Sequence, residues 1–65
     1  MRPPHEYVLR RRIDHAKAML VHTMDSLMEI ALSVDFQTQA HFTIGFKRFV
    51  GETPRQWRVS RRQLA

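Results

Sequence analysis

Gln39 carries a carboxamide that donates and accepts hydrogen bonds side by side, the pattern adenine offers at N6 and N7 on its major-groove edge. Lys47, Arg48, Arg55 and Arg58 follow it along the chain and supply charged donors of the kind that hold phosphate oxygens. Segments opening near Ser26, Thr38 and Pro54 add free backbone N–H groups, which bind anions wherever a helix begins. This is the chemistry of reading and holding a nucleic acid, and it requires these groups outside one rigid rod. Residues 38–49 have the spacing for such a rod. Phe42, Phe46 and Phe49 recur at i, i+4 and i+7, while Ala40, Thr43, Ile44 and Lys47 fall roughly opposite. The pattern predicts a helix with a buried aromatic spine, His41 at the edge of the core, and a small, mixed outer face.

A second, shorter helix must stand before it. Ser26-Leu27-Met28-Glu29 is a capping box, in which the Ser hydroxyl and the Glu carboxylate satisfy free N–H groups reciprocally. Leu27, Ile30, Ala31 and Val34 then share one side of a helix expected over 26–34, and Asp35-Phe36-Gln37 interrupts the pattern. Helix, tight turn and helix together make a helix-turn-helix. Upstream, Leu9, Ile13, Ala16 and Leu20, widened by Val8 and Met19, predict a long helix over about 4–22, entered through Pro3-Pro4 and followed by a Thr23-Met24-Asp25 linker. Downstream, Gly51 suits a left-handed cap and Thr53-Pro54 opens a last helix over about 54–61, with Trp57 as its main buried anchor. The expected fold is all-α: a single domain over 1–65, four helices, no strand and no internal repeat.

The chain has 65 residues, at the small end for independent folding, so marginal stability is expected. Lys and Arg number 11 against 6 Asp and Glu, a net charge of +5, and their placement is uneven. Arg2, Arg10, Arg11 and Arg12 lie near one end and Lys47, Arg48, Arg55, Arg58, Arg61 and Arg62 near the other; between Ile13 and Phe46 the sole cation is Lys17. Two basic blocks flanking a helix-turn-helix suit phosphate binding better than a uniformly solvated surface does.

Other classes find little support. There is no cysteine for a disulfide or a thiolate zinc site, and His5, His15, His22 and His41 form no i, i+4 pair, so neither a metal nor another cofactor is expected. No glycine-rich phosphate loop and no nucleophile beside a base is present, which argues against an enzyme. No apolar run approaches a membrane span, and Met1-Arg2-Pro3-Pro4 leads into no apolar signal core, so a cytoplasmic protein without a membrane partner is expected.

The series Tyr7-Val8, Arg12-Ile13, Ala16, Met19-Leu20, then Ser26, Glu29-Ile30-Ala31, Val34, Phe36, Phe42, Phe46-Lys47-Arg48, and finally Gly51-Glu52-Thr53-Pro54 with Trp57-Arg58 resembles the C-terminal DNA-binding domain of AraC/XylS-type bacterial transcription regulators. The resemblance spans nearly the whole chain but covers the linker helix and the second helix-turn-helix unit only, a half domain of the homeodomain-like class. It implies sequence-specific binding of double-stranded DNA in transcription regulation, by a fragment, a truncated member or a short product of such a regulator. It places Gln39, Ala40, Thr43 and Ile44 toward bases, where Ala40, the Thr43 methyl and Ile44 suit thymine methyl groups. Thr38, Lys47, Arg48, Arg55 and Arg58 are the expected phosphate contacts, although the Arg58 guanidinium equally suits an Asp or Glu at the core periphery. Arg10, Arg11 and Arg12 on the linker helix either touch DNA backbone or form an ordinary solvated face. The alternative function is a protein-interaction module docking on RNA polymerase or on a missing N-terminal half; no oligomeric state is implied.

Two residues depart from expectation. Asp35 stands where the family usually has glycine, which implies a positive φ borne at some cost. Gly45, inside the second helix of the unit, either admits a neighbouring backbone or weakens the helix.

Overall fold

The computed structural model describes residues 5–63, and these form four helices with no strand among them: α1 (His5–His22), α2 (Leu27–Ser33), α3 (Gln39–Val50) and α4 (Pro54–Gln63). The proline entry to the first helix lies outside the described residues. The last helix runs two residues beyond the expected Arg61.

Each boundary has a local cause. Ser26 Oγ accepts from the Glu29 N–H at 3.1 Å and starts α2. Thr38 Oγ1 does the same for the His41 N–H at 3.0 Å and starts α3. The reciprocal box expected at Ser26 forms at α4 instead: Thr53 Oγ1 accepts from the Gln56 N–H at 3.1 Å, and Gln56 Oε1 accepts from the Thr53 N–H at 2.9 Å. Thr-Pro-Arg-Gln carries that signature in the sequence. Gly51, at φ 92°, closes α3 by donating its N–H to the Lys47 carbonyl at 2.8 Å.

The turn between α2 and α3 is a Schellman cap. The Phe36 N–H reaches the Ala31 carbonyl at 2.9 Å and the Asp35 N–H reaches that of Leu32 at 3.2 Å, which requires Asp35 to be left-handed, at φ 65°. An L-residue there costs roughly 1 to 2 kcal/mol, partly offset by the larger entropy that glycine loses on folding. Asp35→Gly is therefore expected to stabilise the fold by about 0.5 to 1 kcal/mol in thermal denaturation. A lower melting temperature would mean that the carboxylate contributes to the folded state.

Ile13, Ala16 and Leu20 of α1, Ile30, Ala31 and Val34 of α2, and Phe42 and Phe46 of α3 make one buried core, with Met19, Leu27, Phe36, Phe49, Val50 and Trp57 packed around it. The aromatic spine takes a different course from the expected Phe42, Phe46, Phe49 series. Phe36, Phe42, Phe46 and Trp57 form a ladder, with successive ring centroids 5.5, 5.8 and 6.1 Å apart and rings tilted or edge-on. Phe49 is half-buried between α1 and α3. Gly45 answers to this ladder. A Cβ at position 45 would lie 3.2 and 3.3 Å from the Phe36 ring, so glycine makes room for a side chain rather than for a backbone.

In α4 the fully buried residue is Pro54, not Trp57. Trp57 is half-buried between two cations, with the Arg61 guanidinium 3.8 Å and the Lys17 ammonium 5.1 Å from the indole ring. Its indole N–H is buried and finds no acceptor among the described residues.

Candidate nucleic-acid interface

The ladder decides which side of α3 is free. With Phe42 and Phe46 wholly buried, Ala40, Ile44, Lys47 and Arg48 are turned outward and exposed. Gln39 is exposed in the first turn, and Thr43 is half-buried on the flank. Ile44 is 64% exposed, an apolar side chain held in water on the side away from the core. His41, expected at the core edge, is exposed instead, because it lies one residue off the Phe42 and Phe46 line. The surface formed by Gln39, Ala40, Thr43 and Ile44 can present one amide, one hydroxyl and three apolar groups to a partner.

Thr38 is exposed at the helix start; its oxygen is engaged by the His41 N–H, and its hydroxyl proton remains available to an acceptor. Lys47 and Arg48 occupy the last turn of α3, and Arg55 is exposed in the first turn of α4. Charge therefore stands in the last turn of α3 and in the first turn of α4 that follows it.

Arg58 is placed differently. Its Nε donates to the Leu20 carbonyl at 3.0 Å, and its Nη2 donates to the carbonyls of Thr23 at 3.3 Å and Asp25 at 2.7 Å. It fastens α4 to the end of α1 and to the linker, so the Nε and Nη2 donors expected on phosphate are engaged within the chain. The partner is also not the expected carboxylate: the last carbonyls of a helix lack intrahelical donors and take a cation well. Burial holds the Arg58 guanidinium below the usual arginine range, the nearby Arg62 charge adds to this, and Asp25 opposes it. Arg62 joins the same clasp, donating to the Thr23 carbonyl and to Met24 Sδ. Of the second basic block, Arg58, Arg61 and Arg62 thus face the chain's own groups. Lys47, Arg48 and Arg55 face outward.

Residues 2–60 match the family described as "Helix-turn-helix domain". The chain belongs to this family, in its AraC type. The "HTH-type transcriptional regulator ArgR" of Pseudomonas aeruginosa is 39% identical over 61 residues, covering 94% of this chain and 18% of that protein. The "HTH-type transcriptional regulator MtrA" of Neisseria gonorrhoeae is 42% identical over 55 residues (85% of this chain, 18% of that protein), and the "Melibiose operon regulatory protein" of Escherichia coli is 36% identical over 53 (82% and 18%). The chain thus spans less than a fifth of the length of these three regulators. The crystal structure of the C-terminal domain of the two-component response regulator yesN from Fusobacterium nucleatum superposes with a TM-score of 0.83 at 35% identity, over 88% of this chain and 55% of that one. The AraC-type helix-turn-helix is a DNA-binding domain of transcription regulators. No helix among the described residues is long and apolar enough to cross a membrane.

Proposed function

We propose that α3 lies in the major groove of double-stranded DNA, with Gln39, Ala40, Thr43 and Ile44 toward base edges and Thr38, Lys47, Arg48 and Arg55 on flanking phosphates. The observation that carries this reading is Ile44. An apolar side chain 64% exposed between an amide reader and two cations suits a partner that offers methyl groups beside acceptors. Apolar and amide readers favour A·T pairs, so the preferred sites contain them. In its host the domain acts in the cytoplasm, with the chromosome as its partner.

A salt titration of binding to a randomised duplex pool, with sequencing of the retained fraction, tests charge and specificity together. Affinity should fall steeply with salt through counterion release, and the retained pool should be enriched in A·T-containing sites. Gln39→Ala is expected to cost about 1 to 3 kcal/mol on the enriched site and to relax one base position. Lys47→Ala should weaken all sequences alike and flatten the salt slope by about one unit. Identical behaviour of the two variants on enriched and random DNA would overturn the division into readers and clamps.

A second reading, docking on a protein such as RNA polymerase, draws on Met28 and Leu32. They lie one turn apart on α2 and are 56% and 58% exposed. Binding through that apolar pair would persist at high salt, and the same titration separates the two.

A further inference from the structure

The arginine run Arg10-Arg11-Arg12 reads as one feature in the sequence, but α1 divides it. Ile13, Ala16 and Leu20 point into the core and set the register. Arg10 falls on the flank facing α3, beside Ile13, Asp14, Lys17, Phe49 and Val50. Arg11 and Arg12 fall on the other flank, where with His15 they line a depression of about 270 Å³ against Ser33, Val34 and Asp35 at the end of α2. Arg11 and His15 are four apart and Arg12 and His15 three apart, the spacings that bring helix side chains together. Arg11 Nη1 also donates to the Tyr7 hydroxyl at 3.3 Å, and that bond raises the guanidinium above the usual arginine range.

We propose that Arg11, Arg12 and His15 form a second phosphate clamp, at the opposite end of the reading helix from Lys47 and Arg48, whose strength is limited by Asp35. The proposal rests on the DNA-binding reading of α3 and extends its footprint to α1. Three features favour a backbone phosphate as the occupant. Val34 is the one apolar residue of the lining, which carries two permanent cations and an imidazole against a single carboxylate. Guanidinium forks match phosphate oxygens in pairs. The depression is also tied to the reading helix, because Asp35 leads through Phe36 and Gln37 to the Thr38 cap, and the Phe36 ring packs on Phe42 and into the space left by Gly45. A phosphate held there would fix the N-terminal end of α3, the end from which a recognition helix reaches base edges. The two basic blocks, far apart in sequence, then grip the backbone on both sides of one groove.

Asp35 provides a test of opposite sign. Asparagine tolerates the left-handed conformation as aspartate does, so Asp35→Asn removes the charge and keeps the turn. With a randomised duplex, the Arg11→Gln/Arg12→Gln double variant should flatten the plot of log affinity against log salt by about one to two units, while melting as the parent does. Asp35→Asn should bind the same duplex about two- to fivefold tighter at low salt, with the gain fading as salt is raised. Lys47→Ala serves as the reference for a clamp at the other end. If Lys47→Ala flattens the slope while the double variant and Asp35→Asn leave slope and affinity unchanged, the α1 clamp is wrong and the α3 reading stands. If the parent shows no salt-dependent duplex binding, both fall together.

Discussion

Phe46→Ala is expected to abolish cooperative folding of the domain at room temperature. Phe46 is fully buried at the centre of the ring ladder, between Phe42 at 5.8 Å and Trp57 at 6.1 Å, and it is where α3 meets α4. Truncating a buried phenylalanine costs about 3 to 5 kcal/mol, from lost transfer energy and from the void left behind. A chain of 65 residues buries a modest fraction of its surface, so that loss is comparable to its whole stability. Far-ultraviolet circular dichroism during heating is the measurement: the parent should melt in a sigmoid and the variant should show a weak, gradual loss of helix. Ile44→Ala is the contrasting case. It removes three apolar carbons, against six in Phe46→Ala, from the same helix but from a side chain in water, and it should shift stability by no more than about 0.5 kcal/mol. A Phe46→Ala variant that melts within a few degrees of the parent would show that the ladder does not hold α3 in place.

Arg58→Ala should produce the second large loss, about 2 to 3 kcal/mol, because removing the guanidinium leaves the Leu20 and Asp25 carbonyls without their donor and the Thr23 carbonyl with Arg62 alone. For a domain of this size that corresponds to a fall of roughly 10 to 20 °C in melting temperature. Arg58→Lys should recover only part of it, since one ammonium cannot reproduce a planar fork reaching three carbonyls. The DNA readout separates this role from phosphate binding. Measured where the variant is still folded, its salt slope should equal the parent's, whereas Lys47→Ala flattens it. An Arg58→Ala protein with unchanged melting and a slope reduced by about one unit would return Arg58 to the phosphate contacts.

The contrast between Arg58 and Lys47 shows where reading from sequence stops. Both are cations near a helix-turn-helix, and although Arg58 also suited a carboxylate at the core periphery, residue type and spacing do not name its partners. What separates them is the end of α1 and the linker after it, 33 to 38 residues away in the chain, whose carbonyls happen to lie beside one and not the other. Trp57 makes the same point. Its size announced an anchor, yet it ends half-exposed between Lys17 and Arg61, a residue from each of two helices that only packing brings together. Gly45 was legible as an anomaly, but its reason is the Phe36 ring across the turn. The start of α4, by contrast, was legible as Thr53-Pro54, and the structure adds Gln56 as the reciprocal partner that completes the box.

The amino-acid order alone determined the local features: where α2, α3 and α4 open, that Gly51 closes α3, and that the face bearing Gln39, Ala40 and Ile44 lies away from Phe42 and Phe46. These follow from caps, turn geometry and a period of 3.6, all of which act over a few residues. Only the tertiary structure decided which cations are spent on the chain itself, how the arginine run on α1 is shared between two flanks, and which ring completes the aromatic ladder. Those outcomes depend on which helix faces meet, and a side chain's charge or bulk does not specify the distant group that will lie within its reach.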